Sequence, residues 1–219
     1  MAGAAEIAKR VVTVQVTGSL VILLHGVAAF GYDLDPLAGV LRRSLPNTAV
    51  IAPDAPFACE QGPGRQWYSL EGVTPENRLA RIAAARPAFD ALIGALVDAH
   101  GLAARLDRVA LVGFSQGATL AFDAVARGRW PIGALVLLSG RFVTPAPFAP
   151  AHNTPVLLVH GSADGAVPPE ETRRAGVMLQ GAGMMVQTHI LRGVGHTISP
   201  TGVKLTRRFL RERLGGTGV

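Results

Sequence analysis

Val109-Ala-Leu-Val112, Gly113-Phe-Ser-Gln-Gly117 and Ala118-Thr-Leu-Ala-Phe-Asp-Ala-Val-Ala-Arg127 follow one another without a spacer. They read as an apolar strand, a G-x-S-x-G turn and a helix-patterned segment. A strand that feeds a serine into so sharp a turn needs small residues on either side of it. It presents Ser115 above the sheet, and it aims the Gln116 N–H, at the helix start, toward a bound carbonyl oxygen. The plainer alternative is a glycine-rich turn with a capping serine.

Working outward, strand-like and helix-like segments alternate. Val11–Val16, Leu20–Leu24, Ala49–Ala52, Arg108–Val112, Ala134–Leu138, Val156–His160 and Met185–Leu191 are β-rich. Helical patterns cover Asp35–Leu45, Pro75–His100, Gln116–Arg127 and Pro169–Leu179, the last two stopping at Gly128 and before Gly181. In the long one, Leu79, Ile82, Phe89, Ile93 and Leu96 share a face, and Pro87 predicts a kink or a second helix start. A last helix begins at Ser199-Pro200, as N-cap and N1, and stops at Gly215-Gly216. Wholly apolar strands such as Ala134-Leu-Val-Leu-Leu138 imply a sheet buried on both faces. The expectation is therefore an α/β fold: a mostly parallel central sheet flanked by helices, in one domain spanning residues 1–219. In such sheets chemistry sits in the loops at the carboxyl ends of the strands.

A serine nucleophile needs a base and an acid. The elbow arrangement puts them later in the chain, acid before histidine. Of six histidines, His196 in Gly193-Val-Gly-His196 follows a late strand and fits the base. His100 reads as a surface residue at a helix end, His189 and His152 as structural, and His160 as a packing and turn residue. Between Ser115 and His196 the carboxylates are Asp123, Asp164, Glu170 and Glu171. Asp123 lies two turns along the helix after the serine, and the glutamates open the next helix, where acids are commonplace. Asp164 sits in the loop leaving a buried strand and can accept from the histidine Nδ1–H. For the oxyanion hole, the Gln116 N–H is joined by the Val27 N–H, in the loop His25-Gly26-Val27 that leaves an early strand.

Leu24-His-Gly26, Gly113-Phe-Ser-Gln-Gly117, His160-Gly-Ser-Ala-Asp-Gly-Ala-Val-Pro168 and Gly193-Val-Gly-His196 together resemble the phospholipase/carboxylesterase family of α/β hydrolases. That family includes bacterial carboxylesterases and acyl-protein thioesterases. Pro53-Asp-Ala-Pro56 resembles the family's P-x-A-P turn, and Arg65-Gln-Trp-Tyr68 its Trp-aromatic segment, with tyrosine where some members have phenylalanine. The elbow is followed by Ala118, where many members have another glycine. The resemblance implies an α/β-hydrolase fold with no large lid domain. It also implies a serine esterase with Ser115 as nucleophile, Asp164 as acid and His196 as base, and oxyanion donors at Val27 and Gln116. It asks for no metal and no organic cofactor.

Composition narrows the partners. Lys+Arg 21 against Asp+Glu 15 gives +6, but the arginines are scattered and aromatics are 5%, so a nucleic-acid groove is not expected. Lys204, Arg207, Arg208, Arg211 and Arg213 cluster in the last helix as a solvated face, opposite Val203, Leu205, Phe209 and Leu210. The charge is compatible with anionic substrates or surfaces. A single cysteine, Cys59, excludes an internal disulfide and a thiolate metal cluster. Residues 1–6 lack the basic and apolar regions of a signal peptide, and the apolar stretch Leu20–Phe30 is interrupted by His25-Gly26. A cytoplasmic protein without integral membrane association is expected, acting on a small-molecule ester. The oligomeric state stays open, a homodimer being one option.

Alternatives within the fold are an acyl-thioesterase or lysophospholipase of the same family, or a dienelactone-hydrolase-like enzyme, which usually carries cysteine where Ser115 stands. A secreted cutinase-like esterase is disfavoured by the lone cysteine. A catalytically inactive binding module is the alternative from another class. For the substrate wall, the sequence points to Trp67 and Tyr68 beside the Gly62-Pro-Gly64 loop. The short Pro-rich stretch Arg141–Phe148 leaves little room for a lid. A shallow, open cleft for short to medium acyl chains is the expectation.

Overall fold

The computed structural model describes residues 17–148 and 154–215. Six strands form one parallel sheet: β1 (Ser19–Leu24), β2 (Thr48–Ile51), β5 (Val109–Phe114), β6 (Ala134–Leu138), β7 (Val156–Gly161) and β8 (Val186–Leu191). Their spatial order is β2-β1-β5-β6-β7-β8. The helices are α1 (Asp35–Ser44), α2 (Pro75–Ala99), α3 (Gln116–Ala126), α4 (Glu170–Gly181) and α5 (Pro200–Leu214). The expected strand at Val11–Val16 lies outside the described residues, as does His152.

The wholly apolar strands behave as a two-sided sheet requires. Alternate residues of β1 (Leu20, Ile22 and Leu24, against Val21 and Leu23) enter two different cores. One core lies against α2, α3 and α4, through residues such as Phe89, Phe122 and Leu179. The other lies against α1 and α5, through Leu37, Leu41, Phe209 and Leu210. β8 is an edge strand, and its residues are at most half-buried, His189 among them. Strand order reverses direction at β1, with β2 on one side of it and β5 on the other. The crevice beyond the carboxyl ends of β1 and β5 is where a ligand is best accommodated in such a sheet.

Four local expectations change. α2 runs unbroken through Pro87, so proline removes one ladder donor without ending the helix. Its buried stripe is Ile82, Ala85, Phe89, Ile93 and Val97, with Leu96 half-buried beside it. α4 continues through Gly181, and the left-handed residue after it is Gly183, at φ 81°. The structure adds a two-stranded antiparallel hairpin, β3 (Phe57–Ala58) with β4 (Arg65–Gln66), whose two-residue strands leave no period to read in the sequence. That hairpin delivers Trp67 to the carboxyl edge of β1 and β5, and Arg65 fastens it there. The Arg65 Nε donates to the Ala55 carbonyl at 2.8 Å, and its backbone N–H donates to the Ala29 carbonyl at 2.9 Å.

Candidate active site

Ser115 occupies the turn between β5 and α3 with φ 53° and ψ −113°, a left-handed conformation that a non-glycine residue adopts only under constraint. The constraint is packing. A Cβ on Gly113 would collide with the Ala118 backbone, and one on Gly117 with the Leu24 carbonyl at the end of β1. The two glycines let strand and helix close so tightly that the serine projects from the apex. The first N–H groups of α3 then point at the space beside it, unsatisfied by their own helix.

The loops after β7 and β8 bring the other two side chains to it. His196 Nε2 lies 2.9 Å from Ser115 Oγ, and His196 Nδ1 lies 2.7 Å from Asp164 Oδ2. The ring packs on Phe114, with centroids 5.0 Å apart. Asp164 Oδ1 accepts from the Ala166 and Val167 N–H groups, each at 2.9 Å. Burial alone would raise the Asp164 carboxyl pKa. The bonds from Val167, His196 and Ala166 outweigh burial and hold it below the ordinary value, so the group stays ionised beside the imidazole. Buried His160 braces the same loop. Its Nε2 is 2.9 Å from the Val167 carbonyl and 3.1 Å from Asp164 Oδ2, and its Nδ1 is 2.6 Å from Thr172 Oγ1.

Val27 and Gln116 flank the serine from the other side. Neither N–H finds a protein acceptor among the described residues. Their positions are fixed by side chains that no local motif singles out for that task. The Gln116 amide is paired with the backbone of the next segment: Oε1 accepts from the Trp67 N–H at 2.8 Å, and Nε2 donates to the Tyr68 carbonyl at 2.7 Å. Trp67 Nε1 in turn donates to the His25 carbonyl at 2.8 Å. The Ala55 N–H donates to His25 Nε2 at 2.9 Å, which assigns the ring proton to Nδ1, 2.6 Å from the Gly26 carbonyl. Burial lowers the His25 pKa against the opposing effect of that carbonyl, so the ring is held neutral. Residues 25–27, 67–68 and 115–117 are thereby one hydrogen-bonded unit.

A cleft of about 810 Å³ opens at Ser115 and His196. Its apolar wall comes from the turn before α1, from α1 itself and from the start of α5, with Leu34, Leu37, Val40, Ile198 and Val203. Trp67 and Tyr68 do not line it. Trp67 is buried, and Tyr68 borders a separate recess with Phe57 and Arg81. Both are scaffold for the loops, which corrects the expectation of a substrate wall there. The stretch after β6 is no canopy as far as it is described: Phe142 and Phe148 pack on Phe122, and Thr144 Oγ1 donates to Asp123 at 2.8 Å.

The remaining candidates fall elsewhere. Asp123 is fully buried and takes Arg86 in a bidentate pair at 2.9 Å, with Arg129 also at 2.9 Å, away from the serine. His100 is buried, not on the surface, with Nδ1 2.7 Å from the Leu96 carbonyl of its own helix. Among the described residues no group of three or more His, Cys, Asp or Glu side chains is placed to hold a metal. Among them, too, no helix is long and apolar enough to cross a membrane.

A sequence profile of the phospholipase/carboxylesterase family matches residues 7–214. The chain belongs to that family. Phospholipase/carboxylesterase members are carboxylic ester hydrolases of the serine type, and the parallel sheet with its flanking helices is their α/β-hydrolase fold. The crystal structure of esterase PE8 is similar at 37% identity and a TM-score of 0.83, covering 91% of this chain and 94% of that one. Esterase YpfH of Escherichia coli (strain K12) is 26% identical over 88% of this chain and 82% of its own. A shorter similarity, 30% identity over 49% of each chain, links it to acyl-protein thioesterase 1 of Gibberella zeae.

Proposed function

We propose that this family member is a carboxylesterase that hydrolyses esters of short to medium acyl chains through an acyl-enzyme intermediate. In this reading His196 takes the Ser115 proton as Oγ attacks the ester carbonyl. The oxyanion that forms receives the Val27 and Gln116 N–H groups. Collapse expels the alcohol, protonated by His196. A water then attacks the acyl-serine with His196 again acting as base, and the carboxylic acid leaves. Asp164 fixes the imidazole tautomer and stabilises the imidazolium, its own proton affinity being too low to compete for the proton.

The observation that carries this reading is His196 standing within hydrogen-bond reach of both Ser115 and Asp164. The apolar wall beside Ser115 supports an acyl or alkyl group lying against α1 and α5. Ser115→Ala tests it. The turnover number should fall by about 10⁴ to 10⁶ with little change in KM, since ground-state binding does not use Oγ. Retention of more than about a tenth of turnover would contradict the mechanism and revive the inactive-module alternative. Acyl-thioester hydrolysis is the second reading, favoured by the similarity to the Gibberella zeae thioesterase. A matched ester and thioester of the same acyl group separates the two.

A further inference from the structure

The cleft and the surface next to it differ in chemistry. Lys204, in the second turn of α5, lines the cleft beside the apolar wall, and among the described residues it is the one lysine or arginine that does so. The acid on the opposite wall, Asp33, is engaged by its own turn, since Oδ2 accepts from the Phe30 N–H at 2.8 Å. Lys204 also borders a neighbouring groove of about 730 Å³ with Arg207, Arg208 and Arg211, where Glu212 is the one acid among four cations.

The fold uses these charges only in part: Arg211 stands in the last turn of α5, where a cation suits the helix end. α5 carries no acid in its first turn. Among the described residues, Lys204, Arg207 and Arg211 have no carboxylate within 4.0 Å, and Arg208 reaches Glu212 only at 4.0 Å. Lys204 and Arg208, like Arg207 and Arg211, are four residues apart on one helix face, where like charges each cost a few tenths of a kcal/mol. A helix that forms one wall of the cleft therefore carries a self-repelling basic ridge that begins at the cleft mouth. An anion at that mouth relieves the repulsion.

We propose that the substrate is an anionic ester, with its carbonyl at Ser115, an apolar stretch along α1 and α5, and a terminal carboxylate or phosphate held at Lys204 and the Arg207–Arg211 ridge. The proposal rests on the esterase reading and adds the chemistry of the substrate's far end.

Matched ester pairs test it. A para-nitrophenyl monoester of adipic acid is set against the same compound capped as a methyl ester, and O-butyryl glycol phosphate against its dimethyl ester. The first pair reads a carboxylate on the acyl arm, the second a phosphate on the alcohol arm. In at least one pair the anionic member should have a kcat/KM about tenfold higher at low ionic strength, shrinking to within about twofold near molar salt. Lys204→Glu should reverse the preference. Arg105→Ala removes a cation at the opposite, N-terminal edge of the sheet and should leave it unchanged. Equal or better hydrolysis of both neutral members, or a preference that survives Lys204→Glu, overturns the proposal while leaving the esterase reading intact.

If no ester is turned over, the esterase reading fails separately, and calorimetric titration with the corresponding amides still decides. Anionic amides binding about fivefold tighter than neutral ones, in a salt-sensitive way, uphold the anion site. Equal binding overturns it.

Discussion

The two sides of the cleft are built by different means. The polar side consists of turns at the ends of β1, β5, β7 and β8, where backbone geometry dictates residue type. Ser115 sits at φ 53° between two glycines that admit no Cβ, and Asp164 is folded back onto two N–H groups of its own loop. The apolar side consists of Leu34, Leu37 and Val40 near one end of the chain and Ile198 and Val203 near the other. A turn this tight tolerates few sequences. An apolar wall tolerates many, so the first can be read locally and the second only after folding.

The sharpest way to test that division is to exchange two aspartates. Asp164→Asn should lower the turnover number by about 10³ to 10⁴, because the amide favours the wrong imidazole tautomer. Asp123→Asn should leave turnover per folded molecule intact while costing about 3 to 5 kcal/mol of stability, as two arginines lose their buried partner. Denaturant titration beside steady-state kinetics separates the outcomes. A kinetic defect in Asp123→Asn with a mild Asp164→Asn would move the acid to α3.

A smaller effect is expected where scaffold meets chemistry. Gln116→Leu keeps the backbone donor but strands the Trp67 N–H and the Tyr68 carbonyl. The turnover number should drop by about 10 to 100-fold with KM little changed, since the oxyanion donors lose alignment without losing identity. A rise in KM alone would assign the Gln116 side chain to substrate binding instead.

Legibility in the sequence followed the same line. G-x-S-x-G, the Asp164 loop and His196, which the structure brings together, are legible because each requires particular residues at a strand end. The fully apolar strands announced a sheet buried on both faces. Trp67 stands out in the sequence beside the Gly62-Pro-Gly64 loop, yet its indole and main chain serve hydrogen bonds to residues 42 and 49 positions away, which no local pattern encodes. The Gln116 side chain was hidden for the same reason, behind the role of its own N–H. Leu37 and Ile198 looked like any helix stripe or loop residue. The two-residue strands at Phe57 and Arg65 were too short to show a period.

The smallest expected effect concerns the apolar wall. Val40→Ala and Ile198→Ala should each lower kcat/KM for hexanoyl esters by about 3 to 10-fold relative to acetyl esters, one or two methylene contacts being lost. Tyr68→Phe should leave the chain-length profile unmoved. The reverse pattern, read from a series of para-nitrophenyl acyl esters, would return the substrate wall to the β4 side.

The central claim is that Ser115 is an activated nucleophile, and covalent capture reads this without any choice of substrate. After incubation with a fluorophosphonate, intact-mass and peptide analysis should find one phosphonyl group per chain, on the peptide bearing Ser115. His196→Ala should slow labelling by at least about a hundredfold, because the base that takes the serine proton is gone. Labelling on another residue, or at an undiminished rate in His196→Ala, would contradict the account.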